Sequence, residues 1–498
     1  MFCSSDLMFS LSATDLSLKI REGEYTPSEV VEKHIDRIES WNPKINAVAE
    51  KMFDQARLRA QEATLRLEKL KQGKIQNAEL PKFFGVPFTV KEMLGVEGCR
   101  RTGGSIHRRH DVVDFNATVV QRVIEAGAIP LCTTNVPELG FWVESDNPIY
   151  GRTNNPYDLK RTAGGSSGGE GALVGSGASS FGLGSDIGGS VRMPASFCGV
   201  FAHKPTWKSV PLSGHFPRTP EELRGVSSET YSLTTLGFLA KRAADLWPLL
   251  ETIKGPDDFD PETKKDFVLQ PLIQDFTNVR VFFLSDPQLF FCRRASAEVK
   301  ETVKRAALGL QGRGAIVEEL DSKIFKNAVE IWGAATSSQG QAPFAERLSL
   351  GGTIDYFSEF MRLLVRKSNY TFPGLVTALL EKLPNLGSNF EKALCELKDI
   401  DRILQSKLGT NGVIIMPVYP SVAPRHRAPY LAPFDFVFSG IFNALGYPAT
   451  AIPMGLNSKG LPLGIQVAAG PFQDHLCLSL AVEMEKLFGG WVEPKLPE

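Results

Sequence analysis

Beyond Pro81 short apolar runs alternate with amphipathic stretches, which leaves a chain of this kind few folds besides a sheet covered by helices. Strands are expected at 84–90, 128–132, 279–284, 315–320, 412–417, 449–453 and 463–468, with a helix at 117–126. Asn457-Ser458-Lys459-Gly460 has the composition of a hairpin turn and joins the last two of these strands. Ahead of the alternation, about 10–72 reads as helical. Thr26-Pro27-Ser28-Glu29 is a capping box with proline in the first turn, and Val30, Val31, His34, Ile35 and Ile38 then share one face. The stretch 52–71 is highly charged and belongs on the surface. A helical insert at about 340–389 interrupts the alternation further on. Neither a low-complexity linker nor an internal repeat divides the chain. The expectation is one α/β domain over 1–498, its large mixed, mostly parallel β-sheet covered by helices on both faces.

Composition removes several classes of function. The formal net charge is −1, so no basic surplus exists to neutralise phosphates, and nucleic acid is not an expected partner. The seven cysteines (Cys3, Cys99, Cys132, Cys198, Cys292, Cys395, Cys477) are scattered without a C-x-x-C pair, which reads as reduced thiols of an intracellular protein. Residues 1–12 lack the basic and apolar regions of a signal peptide. No uncharged apolar run approaches the ~18 residues of a transmembrane helix, so the chain is expected to be cytoplasmic or peripherally membrane-associated. His107 and His110 have H-x-x-H spacing but neither the H-E-x-x-H register nor a cysteine partner; no metal and no cofactor are expected.

The segment 161–192 departs sharply from its surroundings, with glycine and serine dominant. A flexible linker is a poor reading, because Leu173, Val174, Phe181, Leu183 and Ile187 are interleaved. A phosphate loop fails as well, since neither G-x-x-x-x-G-K-[ST] nor G-x-G-x-x-G occurs here. Two overlapping G-x-S-x-G elbows, around Ser166 and Ser167, stay open, because His203, His215, His426 and His475 all lie downstream.

Gly164-Gly165-Ser166-Ser167-Gly168-Gly169, Asp186-Ile187-Gly188-Gly189-Ser190-Val191-Arg192-Met193-Pro194 and Lys204-Pro205 form an ordered set with Gly85-Val86-Pro87-Phe88-Thr89-Val90-Lys91-Glu92 upstream. Together they resemble the amidase signature family over nearly the whole chain. The resemblance implies that family's fold and a serine amidase working through an acyl-enzyme. It implies Ser190 as the acylated nucleophile, Ser166 as a bridging serine in a cis conformation and Lys91 as the terminal base. The chemistry is coherent by itself. A serine hydroxyl needs a neighbouring base, and a lysine serves only when neutral, although its ordinary pKa is about 10.4. Lys91 follows the apolar string Val86-Pro87-Phe88-Thr89-Val90, where burial would favour the neutral amine. Without the resemblance, an exposed lysine at a strand end is an equal reading. Ile187, Gly188, Gly189 and Ser190 can offer backbone N–H donors to an oxyanion. Asp186 and Arg192 flank that turn with opposite charges, and Ser167 is placed to support Ser166 by hydrogen bonding. These three serve structure equally well.

Within the family the resemblance extends to the fatty-acid amide hydrolases, the second vertebrate type especially, through Gly169-Glu170-Gly171, the stretch 151–158 and Phe488-Gly489-Gly490-Trp491. It implies a fatty-acid or similar lipid-like amide as substrate. That type carries an N-terminal hydrophobic anchor, which is not found here. The resemblance also places the 134–141 segment beside the substrate, with the Gly140 backbone at the amide and Phe141 along an acyl channel. A packed core aromatic is the alternative for Phe141. In 356–383, Tyr356, Phe357, Phe360, Met361, Leu363 and Leu364 precede Arg366 and Lys367. This suits an interfacial helix pair touching a membrane, or a helical hairpin packed on the core. A homodimer is a further open partnership. The competing functions are a small-amide amidase, an amidotransferase-type subunit of the same family, and a catalytically inactive binding relative.

Overall fold

The computed structural model describes residues 4–218, 233–338, 342–365, 367–381 and 390–496. Cys3, together with residues 340, 341, 366 and 382–389 of the expected insert, lies outside the described residues. The centre is an eleven-stranded sheet. In chain order its strands are β1 (Val48–Lys51), β2 (Pro87–Lys91), β3 (Ile129–Thr134), β4 (Phe181–Asp186), β5 (Phe201–Lys204), β6 (Thr235–Ala240), β7 (Arg280–Phe283), β8 (Ile316–Glu319), β9 (Gly412–Pro417), β10 (Ala449–Leu456) and β11 (Pro462–Ala469). Across the sheet they lie in the order β1-β3-β2-β4-β6-β5-β10-β11-β9-β7-β8.

Parallel pairing occurs in two places, where β2 lies between β3 and β4 and where β7 lies between β8 and β9. The middle of the sheet is antiparallel, as is the edge pair β1–β3. The sheet is mixed as expected, with a smaller parallel share than the alternation implies. Part of the reason is local. β10 and β11 join through the Asn457–Gly460 turn, where the Asn457 carbonyl oxygen of the side chain accepts from the Lys459 and Leu461 N–H groups. A connection that short can join only antiparallel neighbours.

Successive side chains of a strand face opposite ways, and helices accordingly cover both faces. On β9, Val413 and Ile415 pack with Val303 and Leu310 of helix Ala297–Gln311 and with Leu476 and Leu480 of helix Asp474–Phe488. Ile414 and Met416 pack with Ile331 of Ala328–Ser337, Leu404 of Phe390–Leu408 and Ile441 of Val437–Ala444. The capping box at Thr26 forms, and helix Pro27–Ile45 buries Val30, Val31, His34, Ile35 and Ile38.

The glycine- and serine-rich segment is a buried crossing. It holds helix Gly168–Gly175, every residue of which is buried, and then β4. A Cβ on Gly169 would lie 2.4 Å from the Asn135 backbone nitrogen, and one on Gly182 would lie 1.7 Å from Glu170 Oε2. Glycine therefore lets this helix lie directly on β2, β3 and β4. Glu170 locks the contact by accepting from Thr89 Oγ1 at 2.6 Å and from Thr134 Oγ1 at 2.8 Å.

The insert contains helices Phe344–Ser349, Tyr356–Leu364 and Phe372–Leu380. One face of the insert packs on the protein and the other is exposed. Phe344, Leu348, Leu375 and Ala378 build a small core against Leu139 and Phe141. On the other face Phe357 and Leu364 are 80% and 77% exposed. Among the described residues no helix is long and apolar enough to cross a membrane.

Candidate active site

β2 and β4 run parallel in the register Thr89 to Gly182 and Val90 to Leu183, so Lys91 and the Ser185-Asp186 pair reach the same carboxyl edge of the sheet. Sites in open α/β sheets favour that edge. The turn around Ser166 and the turn carrying Ser190 close over it. Lys91 is fully buried, with Nζ 2.7 Å from Ser166 Oγ, 2.9 Å from Ser185 Oγ and 3.3 Å from the Ser185 carbonyl oxygen. Burial drives the Lys91 pKa from 10.5 down to about 7, against Asp186, Glu170 and Glu92, whose charges act to raise it. A depressed pKa does not by itself mark the base. Lys204 and Lys241 are also pushed to about 7 by burial, yet their amines face the backbone carbonyls of Pro205 and Phe9. Lys91 faces a serine hydroxyl.

The Gly165–Ser166 peptide bond is cis. Ser166 and Ser190 are both buried, and their two turns are tied by the Ser167 N–H, which donates to the Ser190 carbonyl at 3.1 Å. Ser167 Oγ donates to the Ser185 carbonyl at 3.4 Å. Ser167 thus braces Ser190 and the end of β4, and the hydrogen bond to Ser166 expected of it is not formed, because its hydroxyl points under the strand. Gly140 lies beside the site, since a Cβ there would sit 3.7 Å from Ser166 Oγ and its φ is +67°. Phe141 packs on Phe344, ring centroids 4.9 Å apart, and so joins the small core of the insert.

The Asp186–Arg192 pair organises the turn that carries Ser190. Both side chains are completely buried; Arg192 Nη2 lies 3.0 Å from Asp186 Oδ1 and Nε lies 3.1 Å from Oδ2. Burial alone would push the Asp186 pKa up, but the Arg192 charge and hydrogen bonds outweigh it and hold the carboxyl well below its usual value. The remaining Arg192 donors reach the Ser439 carbonyl, Gln466 and Asn443. Asp186 also accepts from the Gly189 N–H at 2.7 Å and the Val191 N–H at 3.0 Å. The Gly189 amide is therefore engaged in bracing the turn, which separates it from Ile187, Gly188 and Ser190. The Ile187 carbonyl is held at 2.9 Å by Trp332 Nε1. Because the peptide is planar and trans, this turns the Gly188 N–H to the opposite side.

The elbow alternative loses its base. His203 is bonded to Thr450 and Asp474, His426 to the Leu159 carbonyl, and His215 to Ser185. Among the described residues none of the four downstream histidines is hydrogen-bonded to Ser166, Ser167 or Ser190. A cavity of about 630 Å³ is lined by Trp142, Glu144, Arg152, Leu364, Phe372 and Tyr430 among others, and none of Lys91, Ser166 and Ser190 lines it. The backbone of two of its lining residues packs on the turn that carries Ser166. A Cβ on Gly165 would meet the Trp142 carbonyl at 2.4 Å and the Glu144 nitrogen at 2.9 Å.

Sequence reasoning does not single out Ser185, Glu138 or this cavity wall. Ser185 had one signal, its place just before Asp186. Glu138 had none, since its role is to accept from the Thr371 backbone and hydroxyl at 2.8 Å each and so tie the 134–141 segment to the insert.

These features define an amide-hydrolysing enzyme, a serine hydrolase. The amidase family model matches residues 29–478, and the chain belongs to the amidase signature family. It is 38% identical to "Fatty-acid amide hydrolase 2-B" of Danio rerio over 98% of this chain and 91% of that protein. It is 37% identical to "Fatty-acid amide hydrolase 2" of Homo sapiens over 97% and 90%. The solved 6-aminohexanoate cyclic dimer hydrolase with substrate shares the fold, at TM-score 0.79, 23% identity and coverage of 96% and 97%.

Replacing Arg192 with Met should strand Asp186 as an uncompensated buried charge. The expected loss is about 3–5 kcal/mol in urea unfolding, with weakened activity in whatever remains folded.

Proposed function

We propose that this enzyme hydrolyses fatty-acid amides or similar lipid-like amides through a Ser190–Ser166–Lys91 relay. The observation that carries the reading is the buried Lys91 amine, 2.7 Å from Ser166 Oγ and depressed towards neutrality. Neutral Lys91 takes the Ser166 proton as Ser166 takes that of Ser190, and Ser190 Oγ attacks the carbonyl carbon. The N–H groups of Ile187, Gly188 and Ser190 receive the oxyanion. The proton returns along the same path to the leaving nitrogen as the C–N bond breaks. Water then enters, loses its proton to the relay and releases the acid from Ser190.

The lipid preference rests on two supports. One is the pair of relatives called fatty-acid amide hydrolase. The other is the cavity, lined in part by Leu363, Leu364 and Phe372 of the insert. The 356–383 segment is read as a membrane-facing entrance, since its outer face presents Phe357, Met361, Leu364 and Val365 to solvent.

The deciding experiment combines labelling with a substrate series. A fluorophosphonate adduct should map to Ser190 and vanish in Ser190→Ala, while Ser167→Ala stays active. From acetamide to oleamide kcat/KM should rise, each buried CH₂ adding at most about 0.8 kcal/mol. An adduct on Ser167 overturns the relay. A flat or falling series points instead to a small-amide enzyme, and no turnover by the isolated chain points to an amidotransferase-type subunit.

The pH dependence follows from Lys91. Activity needs the neutral amine, so kcat/KM should fall about tenfold per pH unit below a midpoint near 7 and level off above it. A folded Lys91→Ala variant that kept both the rate and this limb would place the base elsewhere.

Anionic or zwitterionic vesicles test the entrance. Phe357→Glu with Met361→Glu, neither of which lines the cavity, should abolish co-flotation and raise KM for vesicle-borne oleamide, while turnover of a short soluble amide is unaffected.

A further inference from the structure

Lys91 has three polar contacts, and Ser185 supplies two of them. Counting protons around these atoms sets a requirement on the far side of Ser185. A neutral lysine amine has two N–H groups and one lone pair. To act as a base towards Ser166 it must aim the lone pair at Ser166 Oγ. Its N–H groups are then left for Ser185 Oγ at 2.9 Å and the Ser185 carbonyl at 3.3 Å. Ser185 Oγ therefore accepts from Lys91, and its own single proton must go elsewhere. If that proton turned towards Lys91 it would occupy the lone pair, and Ser166 would face only N–H.

The atom that receives it is present. His215 Nε2 lies 2.9 Å from Ser185 Oγ. His215 is brought there by a bridge to Leu94, just beyond β2, and by the Phe216 N–H, which donates to the Met93 carbonyl at 2.8 Å. We infer that His215 is a positioning residue of this enzyme: its Nε2 holds the Ser185 hydroxyl proton and so keeps the Lys91 lone pair directed at Ser166. The inference rests on the relay proposed above and names the group that orients its base.

The role requires a neutral imidazole with its proton on Nδ1. Burial of the ring, with Lys91 and Arg101 nearby, pushes its pKa well below the ordinary histidine value, against a hydrogen bond to the Phe216 backbone. The arrangement also survives the proton transfer. Once Lys91 is an ammonium, its three N–H groups point to Ser166 Oγ, Ser185 Oγ and the Ser185 carbonyl, and no other hydrogen has to move. A network that needs no reorganisation as charge develops is the kind that lowers a barrier.

The test compares His215→Leu with His215→Gln, whose side-chain carbonyl can occupy the Nε2 position and accept the same proton. The readouts are kcat/KM against pH on one amide and the rate of fluorophosphonate labelling, with folding checked by circular dichroism. Leu should lower the plateau about tenfold with little change in KM, and Gln should recover most of that. The limb should also move to lower pH in the Leu variant, because a Ser185 proton donated to Lys91 stabilises the neutral amine. The charged groups facing the pair, Asp186, Glu170 and Glu92 on Lys91 and Arg101 on His215, are the same in all variants. In a Ser185→Ala background His215→Leu should cost nothing further. If Gln is no better than Leu, or the full loss persists without Ser185, the inference is overturned. If His215→Leu does not fold, His215→Asn, whose shorter amide cannot reach the Nε2 position, makes the same comparison. Failure of the relay itself would appear separately, as a Lys91→Ala variant that keeps its rate.

Discussion

The removal of the Lys91 amine from water is the constraint around which the site is organised. An exposed lysine would be almost wholly protonated at neutral pH and could accept nothing. Burial makes the neutral form accessible, but an amine in a dry interior must still find partners for its polar atoms. The end of β2 supplies the position, and Ser166 and Ser185 supply the partners. Three carboxyl groups lie near enough to oppose the shift. Two of them are themselves kept from full ionisation. Burial raises Glu92 to about 7 and Glu170 to about 8, which weakens their pull on the lysine proton.

Asp186 is the one carboxyl of the three held firmly ionised, and its charge is matched at once by Arg192. This division separates two tasks that a single charged cluster could not perform together. The Asp186–Arg192 pair gives the Ser190 turn its rigidity by fixing the amides of Gly189 and Val191, while burial keeps the Lys91 neighbourhood close to neutral. Ser167 links the halves, because its N–H holds Ser190 and its hydroxyl meets the strand that carries Ser185.

Much of this was legible in the amino-acid order, for reasons that differ by residue. Lys91, Ser166 and Ser190 sit in short motifs whose residue types serve a chemistry, and strand β9 matches its apolar run at both ends. The strand expected at 84–90 instead spans Pro87–Lys91, because Gly85 has φ +74° and cannot pair in an extended strand. β4, β5 and β6 escaped the apolar rhythm. In β4 glycine takes positions 182 and 184, since the helix carrying Glu170 lies too close for any side chain at Gly182. His215 was visible as a histidine downstream of the serines, but only the fold shows that it addresses Ser185 instead of a nucleophile. Contacts that join distant segments through one buried polar atom leave no periodic trace.

The insert raises a different physical problem, that of apolar surface with no intramolecular partner. Helices Tyr356–Leu364 and Phe372–Leu380 bury one side against Phe141 and Leu139, residues within a few positions of Gly140 and hence of Ser166. The same helices leave Phe357 and Leu364 to solvent and place Leu364 and Phe372 in the cavity wall. Apolar exposure of this extent opposes solubility unless a surface of like character covers it. The Glu138–Thr371 hydrogen bonds tie the insert firmly to the segment flanking Ser166. The helices that leave leucine and phenylalanine to solvent are thereby part of the same structural unit as the segment beside Ser166.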